Sequence, residues 1–282
     1  MLNRIFLVLS LAIVPFFGFC DEIADSVYEA DPYVILMGEA DQAIADKNWP
    51  EAASRLKDAL SVKPNHPSNV LLLNNLAKVY TYQGLDSLAL STYNQALELA
   101  PKMNILLLGR AKTYLALGKD KSAMSDFENV LQRDSLSTEA RFYHGMMSLY
   151  SGNKKQAEKD FTVLGKVAPQ SMDAAIAFST LYSLTGRDRE AIPYLERLIE
   201  MDPAVEYYAS LAGCYLEIGK LSEASGILSD AFKLYPNDPE LYYYRAWLNR
   251  ERFRLDDAKA DAKMAIKLGA NPRKVRDLFV DL

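Results

Sequence analysis

The pattern of apolar and polar positions changes character at the twentieth residue. Ile5 to Phe17 is an apolar run broken only by Ser10 and Pro15, preceded by Arg4 and followed by Gly18-Phe19-Cys20 and the acidic pair Asp21-Glu22. Such a run falls short of the ~20 apolar residues that a bilayer-spanning helix needs. Its short positive start gives it the layout of a secretory signal peptide over 1–20. No later window is long and apolar enough to cross a membrane. From residue 33 onward, after a linker over 21–32, apolar positions recur at the 3.6-residue spacing of amphipathic helices, punctuated by glycine and proline. An all-α chain is predicted.

The punctuation has a period. Gly84, Gly118, Gly152, Gly186 and Gly219 are 34, 34, 34 and 33 residues apart. Five residues beyond each stands Ala89, Ala123, Ala157, Ala191 or Ala224, and the frame extends outward to Ala52 and Ala258. Twelve residues after the alanines come Pro64, Pro101, Pro169, Pro203 and Pro236, with Ser135 and Ala270 in the remaining slots. Twelve residues before them the side chain is always small: Ala40, Ala77, Ala111, Gly145, Ser179, Ala212 and Ala246. Each period reads as two helices. Glycine ends the first because it takes the left-handed conformation without a Cβ clash. Proline stops the second, lacking an N–H and clashing one turn back. The small residue and the alanine let the two backbones approach, and a bulkier residue four past the alanine (Leu56, Tyr93, Phe127, Phe161, Leu195, Leu228) fills the seam to the next pair. A lone pair cannot bury its apolar faces, so neighbours must stack.

These residues resemble the tetratricopeptide repeat. Thr113-Tyr114 with Gly118, Ala123, Phe127 and Leu131 matches that motif, as does Cys214-Tyr215 with Gly219, Ala224, Leu228 and Phe232. The resemblance implies a right-handed α-solenoid of seven helix-turn-helix units over 33–272: 33–69, 70–103, 104–137, 138–171, 172–204, 205–238 and 239–272. The outer units depart from the pattern. Lys47 and Phe253 replace the turn glycine, and the first unit carries extra residues near Asn65-His66-Pro67. Residues 273–282 place Val275, Leu278, Phe279 and Leu282 on one helical face, as a capping helix requires.

Composition narrows the chemistry. Half of the 282 residues are apolar and the net charge is −5, which excludes intrinsic disorder and argues against a nucleic-acid partner. Two cysteines and two histidines leave nothing for a disulfide framework and little for a metal cluster. No phosphate-cradling glycine loop, HExxH or GxSxG is present. His66 falls in an inter-repeat loop, His144 at a packed position of a first helix, and Cys214 where a small buried hydrophobe belongs. No enzymatic activity and no cofactor are expected.

In the tetratricopeptide family the first helices line a concave face that grips an extended peptide or a partner helix. Carried over position by position, Phe142, Tyr143, Met146 and Tyr150 point toward that groove in the fourth unit, and Ile176 extends it into the fifth. Tyr243, Tyr244 and Trp247 do the same in the seventh. In both aromatic units the usual packing positions are polar: Arg141, His144 and Ser148 in the fourth, Arg245 and Asn249 in the seventh. A frame shifted by one residue would instead make the aromatics core. Glu139, Asp173, Glu206 and Glu240 recur at the second position of their units, whereas Lys78 and Lys112 face inward. The clamp by which some members hold chaperone carboxylates is absent, because its positions carry Met37, Asp41, Asn75, Ile105 and Gly109, and only the asparagine matches.

The expected function is a non-catalytic scaffold or adaptor of the bacterial envelope, in the periplasm or at the outer membrane, binding a partner protein. The alternative is a lipid-anchored accessory subunit serving as a spacer in an outer-membrane or secretion assembly. Membrane contact would run only through an N-terminal lipid anchor, for which Cys20 is the candidate. Ordinary cleavage after Cys20 or after Ser26 would leave no anchor.

Overall fold

The computed structural model of the protein describes residues 31–279. The leader 1–20 with Cys20, all of the linker but its last two residues, and the tail 280–282 with Leu282 lie outside the described residues. Among the described residues there are fifteen α-helices and no strand. The chain divides between His144 and Gly145 into two compact bodies.

The N-terminal body holds α1 (Pro32–Ala45), α2 (Trp49–Val62), α3 (Asn69–Tyr82), α4 (Asp86–Leu99), α5 (Asn104–Ala116), α6 (Asp120–Arg133) and the first part of α7 (Thr138–Tyr150). Here α1 packs on α2, α3 on α4 and α5 on α6, while α2 with α3, α4 with α5 and α3 with α5 join consecutive pairs. The C-terminal body holds the rest of α7, then α8 (Lys154–Val167), α9 (Met172–Leu184), α10 (Asp188–Met201), α11 (Val205–Glu217), α12 (Leu221–Leu234), α13 (Pro239–Glu251), α14 (Leu255–Lys267) and the short α15 (Pro272–Asp277). Its hairpins α9–α10, α11–α12 and α13–α14 stack in the same manner, and α15 lies against α14. In each body adjacent helix pairs pack as tetratricopeptide repeats do.

The sequence slots become packing devices. Ala52, Ala89, Ala123, Ala157, Ala191, Ala224 and Ala258 are all wholly buried at the hairpin crossings. The small residue opposite is needed for close approach: a Cβ on Gly145 would lie 2.4 Å from the Phe161 ring. Tyr93, Phe127 and Phe161 fill the seams with 1%, 0% and 0% exposure, each worth roughly 1.5–3 kcal/mol of apolar burial.

The hairpin turns close by one hydrogen-bond scheme. At the end of α3 the Gly84 N–H donates to Thr81 C=O (3.0 Å) and the Leu85 N–H to Tyr80 C=O (2.9 Å), with Gly84 at φ 71°. This pairing satisfies carbonyls that the last helical turn would leave orphaned. After α13 the Phe253 N–H donates to Arg250 C=O (2.9 Å) and the Arg254 N–H to Asn249 C=O (2.8 Å). The same geometry is thus forced on Phe253 (φ 60°), as it is on Lys47 (φ 55°) after α1.

α2, α4, α8, α10 and α12 end two residues before Pro64, Pro101, Pro169, Pro203 and Pro236. Pro193 is different: it sits inside α10, on an exposed face, and the helix runs through it.

Candidate partner-binding site

The aromatic positions singled out in the fourth repeat do not form a solvent-facing row. Phe142, Tyr143 and Met146 are 2%, 5% and 0% exposed, so they are interior, which corrects the expectation of a groove there. Tyr143 stacks on Phe127 with ring centres 5.3 Å apart, and Phe142 meets Tyr143 edge-on. The physical reason is that the rings pack on one another and on the wholly buried Phe127 of α6. Tyr150, a turn beyond Met146 at the end of α7, is exposed, and Ile176 is half-buried against the core of the C-terminal body.

The seventh repeat behaves otherwise. Glu240, Tyr243, Tyr244 and Trp247 fall at i, i+3, i+4 and i+7 of α13, one face of the helix. Tyr243 is at the edge of burial, while Tyr244 and Trp247 remain partly exposed. Tyr244 lies on α11 where Gly213 presents no side chain: a Cβ there would sit 3.0 Å from the ring. Trp247 stacks on Tyr244 at 6.3 Å and 22° and donates its indole N–H to Glu251 (3.2 Å). Burial first, then the Glu240 carboxylate, raises the pKa of both phenols.

The frame in this repeat is sound. Arg245 and Asn249, polar where packing residues are usual, both turn to Asp261 of α14: Arg245 through two bonds of 2.9 and 2.6 Å, Asn249 through one of 2.9 Å. Polar groups at packing positions are therefore satisfied across the hairpin, and no shift of register is needed to explain them.

Sequence reasoning missed the cation at this face. Lys274 of α15 reaches back to Glu240 (2.5 Å), its ammonium 4.2 Å from the Tyr243 ring centre and 5.4 Å from that of Tyr244. The separation of Glu240 and Lys274, 34 residues, is one full period, and that spacing was the available signal.

In the N-terminal body the inward lysines are engaged. Lys112 pairs with Glu139 at 2.5 Å. Lys78 is 5% exposed; burial, with Lys112 adding to it and Glu139 opposing, brings its amine down to about 8. Asn74 donates to Asn75 (3.3 Å), and this buried pair leaves one amide oxygen and one amide nitrogen without a partner. With Glu139 and Glu240 each facing a lysine of this chain, Glu206 is an exposed member of the acidic series.

The remaining candidates for chemistry are structural. His66 accepts the Ser68 N–H at Nδ1 (3.2 Å) and tilts against Tyr33. His144 is buried with Nε2 3.9 Å from Glu128. Cys214 is 3% exposed beside the Ser183 hydroxyl (3.6 Å), and burial pushes its thiol up to about 12, far from a reactive thiolate.

Comparison with known proteins agrees with this architecture. Sequence profiles described as tetratricopeptide repeat match residues 37–104 and 186–248. Human DnaJ homolog subfamily C member 3 is 28% identical over 171 residues, 55% of this chain and 34% of that protein. The chain thus spans about a third of the length of the curated relatives it matches. Among solved structures, a tetratricopeptide repeat protein from Parabacteroides merdae superposes with a TM-score of 0.66 at 26% identity, over 88% of this chain and 97% of that one. PilW, a widely conserved type IV pilus biogenesis factor, superposes with a TM-score of 0.65 at 18% identity, over 74% of this chain and 96% of its own. Fold, slots and profiles converge: the chain is a tetratricopeptide-repeat protein.

Proposed function

We propose that this protein is a non-catalytic adaptor of the bacterial envelope that holds a partner protein, as an extended peptide or a helix, against the first helices of its repeats. The observation that carries this reading is the partly exposed stripe Tyr244–Trp247 on α13, aromatic and acidic together. Buried-edge tyrosine and tryptophan dominate binding energy at protein interfaces. Ile176 and Tyr150 offer further apolar surface in the same body. The repeat fold supports an interaction scaffold. The likeness to a pilus biogenesis factor fits an envelope role, and the apolar leader supports export.

The test is affinity capture from envelope extracts with the wild-type chain and with Tyr244→Ala/Trp247→Ala. Loss of one or more captured proteins is expected; identical recovery removes the stripe as a binding surface. A spacer role with a lipid anchor is the second reading, favoured by the position of Cys20 at the end of the leader. Labelling with a palmitate analogue decides it: acylation lost in Cys20→Ser supports the anchor, and an unlabelled chain excludes it.

A further inference from the structure

Lys274 behaves as a ligand that the chain supplies to itself. Its ammonium lies over the Tyr243 face with the Glu240 carboxylate alongside, the arrangement in which aromatic and anionic groups jointly hold a cation. A second carboxylate stands along the same stripe. Glu217 lies one turn beyond Gly213 on α11, and Gly213 is the residue against which the Tyr244 ring packs, so Glu217 follows along α11 as Trp247 follows Tyr244 along α13. Neither Glu217 nor Asp277 forms an ion pair among the described residues.

One turn further along α13 the aromatic surface continues as Trp247, stacked on Tyr244 and partly exposed. Glu251 beside it is engaged by the Trp247 indole N–H and by Arg250 at 3.7 Å, so the carboxylate left to meet a newcomer is the exposed Glu217. Indole is the strongest of the aromatic faces for a cation.

Resting on the partner-binding reading above, we propose that the exposed face of Trp247, with the Glu217 carboxylate, is a subsite for a lysine or arginine side chain of the bound partner. The partner segment crossing α11 and α13 is accordingly basic. Its cation takes the place next to the one Lys274 already fills, and the Glu217 carboxylate draws it in.

The full chain carrying Trp49→Phe has Trp247 as its single tryptophan and reports on this face directly. It is titrated with a capped peptide alternating serine and lysine, and with two sisters that carry norleucine or glutamate in place of lysine. The lysine peptide is expected to shift Trp247 emission and to bind roughly tenfold more tightly than the norleucine peptide, the glutamate peptide more weakly still. Glu217→Gln should reduce lysine-peptide affinity about threefold, whereas Glu200→Gln, an equal change of net charge at an exposed site on α10, should not. Equal binding of the lysine and norleucine peptides overturns the proposal, as does an equal response to the two glutamine variants. A chain that still captures envelope proteins through the stripe but shows either of those results loses this subsite alone. One that captures none loses the broader reading.

Discussion

Arg245 clasps Asp261 across the α13–α14 hairpin, Nε to Oδ2 at 2.9 Å and Nη2 to Oδ1 at 2.6 Å, and Arg110 repeats this fork-on-carboxylate geometry on Asp126 across α5–α6, with both bonds at 2.8 Å. The two arginines occupy the same slot of their repeats, as do the two aspartates. A bidentate ion pair can therefore replace an apolar contact within a hairpin.

That replacement makes Asp261 costly to remove. Asp261→Ala leaves the Arg245 guanidinium and the Asn249 amide without their shared acceptor and should lose about 2–3 kcal/mol. Because repeat arrays open locally, the loss should register as faster hydrogen exchange in α13 and α14, with α9 and α10 little changed. Uniform exchange rates before and after the substitution would contradict it.

Phe253 points the other way. It is 90% exposed, at a left-handed φ of 60°, so the ring buries almost nothing while the backbone is strained. Phe253→Gly should stabilise the chain by about 1 kcal/mol. Thermal unfolding monitored by circular dichroism checks this, and a lower melting temperature in the glycine variant refutes it.

Lys78 carries a pH signature. Its folded pKa, about 8, lies below the ordinary 10.5, so between those values the unfolded chain binds more protons and stability from this group rises with pH. Below about 8 the full penalty applies, ~3 kcal/mol at most by linkage. Lys78→Met should therefore stabilise at neutral pH by about 1–3 kcal/mol, and the advantage should shrink toward pH 10.5. Denaturant unfolding of both chains across that range decides; a difference independent of pH would sink the argument.

Gly145 and Phe161 form a steric couple. With the Phe161 ring 2.4 Å and the Asp160 Cβ 3.1 Å from where a Cβ would go, Gly145→Ala should cost about 1–3 kcal/mol. Adding Phe161→Leu should return part of that stability, a recovery that denaturant curves of the single and double variants would display. Simple additivity of the two losses would exclude the coupling.

Most of the fold was legible in the sequence because each slot has a local cause. A turn that demands positive φ selects glycine, a crossing that demands contact selects alanine, and a helix end selects proline, so Gly84, Ala89 and Pro101 announce one hairpin together. The candidate site was harder to see. Periodicity tells which residues of α7 share a face, but not what that face packs against, and Phe142, Tyr143 and Met146 turned out to be buried. Arg245 and Asn249 looked like errors of frame because their partner, Asp261, lies on the opposite helix, three residues past Ala258, where spacing along a single helix does not connect them. Pro193 shows the limit of reading residues singly: on an exposed face of α10 a missing N–H is tolerated.

The seat of Lys274 has a consequence for how copies of this chain meet. Glu240 and Lys274 stand one period apart, so α15 occupies the place of the first helix of a following repeat. Val275 and Leu278 are buried there with Tyr243, Ala262 and Ala265. A second molecule arriving head to tail would meet α15 in the seat that its own first helix would have to take, and stacking on repeat seven would require displacing it.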